Sequence, residues 1–450
     1  MVKYKKYTEY QDSGVEWLGE IPCEWQMWKL SHAYNEIGSG TTPLTSNEEN
    51  FEGDIPWITT GELRENVILD TKKKISQRTI ELFPTLRKYP IGSVAIAMYG
   101  ATIGRLGIFG VEATTNQACC VMTISKVLNN KYVFYWLQAF KNEIIQLSSG
   151  GGQPNINQEK VASLKISAPT IKDQINIVNF LDYETLQIDN LIAKQEKLIE
   201  LLKEKRQAVI SHVVTKGLNS DVAMKNSGVK WLGEVPEHWN IIAISKVTQK
   251  ITNGYVGPTR DILVEEGIPY VQATHIKKGK VNFDNAYFVR KKWSNEHAKS
   301  ILKKDDVLIV QTGAGTGDVG LVSEAEEGFN CHALIILQPK KNKLLGSYLA
   351  YCLQSDYGYA TLYSIRTGGM HPHLNCGEVQ FVKIPIPPLN EQTNISDFIE
   401  QNIKDFDALI EKAKSAIQLI QERRIVLISS AVTGKIDVRN WQHPNAAKWS

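Results

Sequence analysis

The sequence predicts an α+β protein with an internal pseudo-two-fold repeat: two mixed α/β globular modules separated by two long antiparallel helices that form a coiled coil. Three observations predict it. A distinctive segment occurs twice, residues 12–25 reading DSGVEWLGEIPCEW and residues 226–239 reading NSGVKWLGEVPEHW, an offset of 214 residues from Trp25 to Trp239. Two long stretches lack both proline and glycine and carry an apolar stripe. Between them lie short strand-like runs broken by glycine.

The repeat continues in register. Ile55-Pro56-Trp57 matches Ile268-Pro269-Tyr270, and residues 100–104 (GATIG) match 313–317 (GAGTG). Residues 149–157 (SGGGQPNIN) match 367–375 (TGGMHPHLN), now at an offset of 218, so small insertions have entered the loops. Residues 62–90 and 275–303 share little beyond charge. A kept frame with a rewritten interior is expected of two copies that contact different ligands.

The first helix is expected over about 173–216, after Pro169 and before Gly217. Its stripe runs through Val178, Leu181, Ile188, Leu191, Leu198, Leu202 and Val209, near a 3-4 alternation that Gln195 and Lys205 interrupt. The second is expected from about Glu391 to Thr433, after Pro387-Pro388, with Ile399, Phe406, Leu409, Ala413, Ala416, Ile420 and Leu427 on its stripe. At 1.5 Å per residue each spans roughly 65 Å. A helix this long with one apolar stripe needs a partner, and the other copy is the obvious one. The expected division is residues 1–170, first module; 171–217, first helix; 218–388, second module; 389–435, second helix; and a 436–450 tail that closes a cyclic arrangement.

Within the modules, strands are expected at residues 94–98 and 107–109, and again at 307–310 and 320–322. Short helices are expected near 132–146 and 345–363. Parallel βαβ alternation is not evident.

Bulk properties narrow the function. The 450 residues are 42% hydrophobic and 22% charged, with net charge +3, so any nucleic-acid surface must be local or be added to by partners. Six cysteines without a CxxC pair read as reduced cytosolic thiols, and Cys119 and Cys120 as small buried residues. The polar amino terminus shows no signal peptide, and no run approaches the ~20 apolar residues that span a bilayer. A cytoplasmic protein without membrane partners is expected.

No catalytic signature recurs in both copies. There is no GxxxxGK[ST] phosphate loop. The only Pro-Pro, in Ile386-Pro387-Pro388-Leu389, lacks the neighbours of the Asn/Asp-Pro-Pro-aromatic turn of a DNA amino-methyltransferase. Residues 315–320 spell GxGxxG, but the partner segment 100–107 breaks the pattern, leaving a tight turn as the simpler reading. His371-Pro372-His373 looks like a metal cluster, yet the partner segment Gln153-Pro154-Asn155 has no ligands, so no metal is expected.

Basic clusters fall in the diverged interiors: Lys72, Lys73 and Lys74 with Arg78, then Arg87-Lys88; and Lys277-Lys278 with Lys280, then Arg290-Lys291-Lys292, then Lys303-Lys304. Lysine and arginine neutralise phosphates and release counterions. The ordinary alternative for any one cluster is a solvated charged face. Glycine-rich loops bring backbone N–H groups close to phosphates. Candidate base readers are Thr59, Thr60, Arg105 and Gln153 in the first module, and Gln272, Thr274, His275, Arg366, His371 and His373 in the second.

The doubled SGVxWLGExPxxW segment, residues 53–61 (GDIPWITTG), residues 100–104 and PIPPLNEQ at 385–392 together resemble the specificity subunit of Type I restriction–modification systems. The first copy is less regular at the last of these (APTIKDQ, 168–174). The resemblance covers nearly the whole chain. It implies two target recognition domains that each read half of a bipartite, asymmetric double-stranded DNA site, and two spacer helices that set the half-site separation. It implies no catalysis and no cofactor in this chain. Two modification subunits would methylate adenine with S-adenosylmethionine, and restriction subunits would use ATP and Mg. Two other classes stay open on the residues alone: a stand-alone nucleic-acid methyltransferase, and a DNA-binding structural protein without a modification partner.

Overall fold

A computed structural model describes residues 4–147, 155–283, 287–368 and 372–444. The chain divides into two units, residues 1–195 with 415–450, and residues 196–414. Both boundaries fall inside long helices, the first Ile171–Lys216 and the second Leu389–Val432.

In the first unit, five strands form the main sheet in the order Ile37–Ser39, Cys119–Met122, Val94–Ala97, Leu106–Phe109, Asn66–Ile68. Only the last pair is parallel. The central strand Val94–Ala97 is buried on both faces, and its period-two alternation explains why. Val94 and Ile96 enter a core with the helix Asn130–Ala139, while Ala95 and Ala97 enter a second core with Ile58, Leu63 and Phe109. Cys119 and Cys120 follow the same alternation to opposite faces, and burial pushes both thiols up, Cys120 to about 12. They are inert packing groups at neutral pH.

The second unit repeats this plan with six strands, Thr248–Asn253, Leu334–Pro339, Val307–Val310, Val319–Leu321, Lys280–Val281, Ile276–Lys277. Val307 and Ile309 face one core, Leu308 and Val310 the other. Each module adds a smaller sheet around the Ile-Pro-aromatic strand: Ile55–Ile58 runs parallel to Thr114–Thr115, and Ile268–Val271 parallel to Asn330–Cys331. The expected single helices are each two. The first breaks at Phe140 into Asn130–Ala139 and Lys141–Gln146; the second breaks at Ser355 into Gly346–Gln354 and Asp356–Ser364.

Inside each unit the two long helices pack antiparallel. In the first, the Tyr132 hydroxyl donates to Ser167 O (2.7 Å), just before one helix, and to Val432 O (3.0 Å), at the end of the other. About two turns back from Val432, Arg424 pairs with Asp189 at 3.1 Å. In the second unit, Tyr348 bridges Pro385 O and Val214 O in the same way.

Leu181, Ile188, Ile399, Phe406 and Leu427 are buried, and Leu202, Val209 and Ile420 half-buried. Leu191, Leu198 and Leu409, counted on the stripe from sequence, are instead 46%, 43% and 48% exposed. Steps of three and four from Leu181 land on Thr185, Ile188, Ile192, Gln195, Ile199 and Leu202, all buried or half-buried. Two polar residues therefore occupy the seam. Thr185 is accommodated by donating to Leu181 O at 2.6 Å. On the second helix Ile410, not Leu409, turns inward.

The doubled SGVxWLGExPxxW segment forms a socket for a helix end. In the first unit, Pro22 and Trp25 enclose Gly434, and Tyr10 donates to Gly434 O at 2.9 Å. In the second, Pro236 and Trp239 enclose Gly217. Both glycines end a long helix at positive φ, +70° and +78°, as C-terminal helix caps commonly do. Behind each socket a buried glutamine ties the next helix down. Gln174 accepts from Asn129 N–H and donates to Val127 O and Pro169 O; Gln392 accepts from Leu345 N–H and donates to Lys343 O and Pro387 O.

One carboxylate of the second core predicts a pH effect. Asp306 is 3% exposed, accepts from Lys303 N–H and Gln338 Nε2, and burial raises its pKa to about 6. A raised carboxylate stabilises the fold most below pH 4, and that contribution is lost as pH rises through about 6. Asp306→Asn should therefore raise the melting temperature of the second unit at pH 7.5 by a few degrees, at about 2–4 °C per kcal/mol. The difference between variant and parent should close at pH 4 in thermal scans. An equal difference at both pH values would rule out this origin.

Candidate nucleic-acid interface

The candidate site is built on one loop that both modules repeat. It follows the Ile-Pro-aromatic strand, at residues 59–66 in the first module and 272–279 in the second. Three features coincide at a constant offset of 213 (59 to 272, 65 to 278). The first backbone N–H is capped by the side chain three residues on: Thr59 N–H by Glu62 Oε2 at 2.9 Å, Gln272 N–H by His275 Nδ1 at 2.9 Å. The seventh residue takes a left-handed conformation, Glu65 at φ 54° and Lys278 at φ 51°. A strand then pairs in parallel with the main sheet, Val67 opposite Ile108 and Lys280 opposite Leu321.

Identical backbone work is thus done by different side chains. Glu62 is an acceptor by charge, and it also takes the Thr59 hydroxyl. His275 is 3% exposed, packed against the Phe283 and Tyr287 rings, and accepts through its ring nitrogen. The structure places this candidate reader inside the loop rather than on its surface. The left-handed residues lie beside neighbouring helices. Glu65 pairs with Lys141 at 2.9 Å. Lys278 lines a cavity of about 380 Å³ with Arg206, Tyr351, Glu400, Lys404 and Asp407, and helps hold the Glu411 carboxyl below its usual range, after the larger effect of Lys414.

The basic clusters separate into paired and unpaired cations. Lys74 pairs with Asp70 at 3.1 Å, Arg78 with Glu49 at 3.9 Å, and Arg87 with Glu36 at 2.8 Å. Exposed ion pairs of this kind contribute little stability, but they cancel local charge. Lys72 and Lys73 are exposed and in no salt bridge among the described residues, Lys73 lying over the Phe51 ring at 4.8 Å. Lys277, Lys291 and Lys292 are also exposed and outside any salt bridge among the described residues. In the first module a groove of about 620 Å³ is lined by Thr59, Glu62, Arg64, Asn66, Leu69, Asp70 and Lys72. Thr60 is half-exposed beside it. Sequence reading passed over Arg64 and Asn66.

The glycine loops are hairpin turns. Residues 313–317 join the antiparallel strands Val307–Val310 and Val319–Leu321, with Gly313 and Gly317 at positive φ. The GxGxxG string therefore lacks the strand-to-helix context that dinucleotide binding requires. Arg366 braces this turn: its Nη2 donates to Thr316 O and its guanidinium lies 4.6 Å from the Tyr363 ring. Nearby, burial raises the Asp318 carboxyl and Arg366 partly opposes the shift. His373 bridges Thr312 and Thr367 through its backbone and contacts the Thr367 hydroxyl. Arg105 is half-buried at the matching turn, and Thr274 is exposed. Gln153 and His371 lie outside the described residues. No group of three or more His, Cys, Asp or Glu among the described residues is placed to hold a metal, and no described helix is long and apolar enough to cross a membrane.

Comparison with known proteins agrees with this doubled architecture. The chain is 23% identical over 93% of its length to the Type I restriction enzyme MjaVIII specificity subunit of Methanocaldococcus jannaschii, covering 95% of that protein. It is 23% identical to the EcoBI specificity subunit of Escherichia coli, over 74% of this chain and 71% of that one. Among solved structures, a chain from work on complex assembly and conformational transition of the type I R-M system superposes over 92% of this chain and 99% of that one, with TM-score 0.73 and 15% identity. The HsdS subunit of Thermoanaerobacter tengcongensis superposes over 92% of this chain and 98% of that one, with TM-score 0.54 and 15% identity. The family model described as Type I restriction modification DNA specificity domain matches twice, at residues 22–203 and 236–419, once per copy of the repeat, and the chain belongs to that family.

Proposed function

We propose that this chain is the DNA-reading subunit of a Type I restriction–modification complex, and that each module reads one half of a bipartite, asymmetric double-stranded site. The observation that carries this reading is the pair of loops at 59–66 and 272–279. They share a backbone scaffold but not the side chains mounted on it, as two readers of unlike sequence would. The unpaired lysines beside the loops supply phosphate contacts that position the modules without specifying bases.

The chain itself carries no catalysis. Two modification subunits methylate adenine with S-adenosylmethionine, and restriction subunits supply the ATP- and Mg-dependent cleavage, all in the cytoplasm. Residues 171–217 and 389–435 act as spacer helices between the readers at 1–170 and 218–388, and 436–450 closes the arrangement.

The test is the methylome of a host expressing the chain with its modification subunit. Replacing residues 240–385 with those of another family member should change one half of the methylated motif and leave the other half intact. Deleting four residues around Gln195 should alter the number of unspecified base pairs between the halves. An unchanged motif after the module replacement would refute the proposal.

A further inference from the structure

We infer that Arg64 is a base-reading residue of the first module, that Lys277 holds the matching position in the second, and that Arg64 reads a guanine. The inference rests on the DNA-reading function proposed above and names a side chain that carries it.

Position and partners make the case. Arg64 is exposed on the groove that the loop forms with residues 69–72. Its Nε donates to Gly61 O at 3.0 Å, and its backbone N–H donates to Asn66 Oδ1 at 3.1 Å. These contacts fix the stem and one edge of the guanidinium. The two terminal nitrogens have no protein partner among the described residues, and Arg64 is in no salt bridge there.

The acids that flank it in sequence are already engaged. Glu62 is taken by Thr59, Glu65 by Lys141, and Asp70 by Lys74. A planar donor pair, held by its inner nitrogen on the lining of a protein groove, matches the O6 and N7 acceptors that guanine presents in the major groove of DNA. Lys72, on the same groove, supplies a point charge for the neighbouring phosphate.

The second module supports the assignment. At the shared offset of 213, Arg64 corresponds to Lys277, which is also exposed and in no salt bridge among the described residues. One position of a common loop therefore carries an exposed cation outside any salt bridge among the described residues in both modules; in the first its neighbours Leu63 and Glu65 are buried or paired, while in the second Lys278 and Lys280 are exposed cations as well. The change from a forked to a single-centre donor is the kind that changes the base preferred.

The experiment uses the full chain with its modification subunits. The half of the motif belonging to the first module is the half that replacing 240–385 leaves alone. Arg64→Ala should relax one G·C position in that half, with discrimination falling about 5- to 150-fold, the equivalent of about 1–3 kcal/mol for one bidentate contact. Arg64→Lys should lose less, and the other half-site should be unchanged. Lys277→Ala should affect only the other half. The Arg64→Ala melting temperature should match the parent, since the side chain is exposed. An intact motif in Arg64→Ala, or a loss of methylation equal at all sequences, would overturn the inference while leaving the functional reading in place. A parent complex that marks no two-part motif would overturn both.

Discussion

Gln392→Ala is expected to destabilise the second unit by about 3–4 kcal/mol and lower its melting temperature by roughly 10 °C. The side chain is fully buried, and truncation strands three backbone groups at once: Leu345 N–H, Lys343 C=O and Pro387 C=O. Each buried, unpaired group costs about 1–3 kcal/mol, and the lost packing adds to that. Gln392→Glu should be nearly as damaging despite its size. A carboxylate can accept from Leu345 N–H but would face two carbonyl oxygens with no proton to offer. Gln174→Ala should act alike on the first unit, because it makes the same three contacts. Chemical denaturation of the purified chain measures the effect, and a loss under 1 kcal/mol in either variant would contradict this account.

Gly434→Ala should cost clearly more than Gly217→Ala, although both glycines end a long helix with left-handed backbone. The conformational penalty is shared, about 1 kcal/mol at each site. The surroundings differ. A Cβ at Gly434 would lie 2.3 Å from Pro22 Cγ and 3.1 Å from Trp25, atoms of a rigid ring and a fully enclosed indole. At Gly217 the nearest atom is Trp239 at 3.3 Å, a contact that a few tenths of an ångström relieve. Roughly 3 kcal/mol is expected at Gly434, where the socket must open, and about 1–1.5 kcal/mol at Gly217. Equal losses in thermal unfolding would show that backbone strain alone governs both ends.

These two cases mark what was legible in the sequence. The repeat was visible as a string, and the ends of the long helices were visible from Pro169, Gly217 and Gly434. That SGVxWLGExPxxW is a seat for a helix end was not visible, because its partner glycine lies more than 400 residues away in the first copy. The stripe was misread by one position at Leu191, Leu198 and Leu409, where the inward residues are Ile192, Ile199 and Ile410. Hydrophobicity then points to the neighbouring exposed leucines, and only backbone geometry decides between them.

At the site, charge was legible and pairing was not. Lys74 and Arg78 look as available as Lys72 until Asp70 and Glu49 are placed. Arg64 was missed for the converse reason. In the string Glu62-Leu63-Arg64-Glu65 it looks neutralised, whereas both acids turn to other partners. His275 stood out as a polar residue in a variable segment, but the fold uses it as the counterpart of Glu62.

The socket around Gly434 also bears on the order in which the chain can fold as it is made. The second unit is one continuous run, residues 196–414, and has all its parts once that stretch has been synthesised. The first unit, though begun earlier, draws its closing pieces from residues 415–450, including the Tyr10–Gly434 hydrogen bond and the Lys5–Asp437 bridge. At about 5–20 residues per second, its sheets wait many seconds with the Trp25 seat empty. The module translated first is therefore the last to be completed, and until then the Pro22 and Trp25 side chains lack the helix end that covers them.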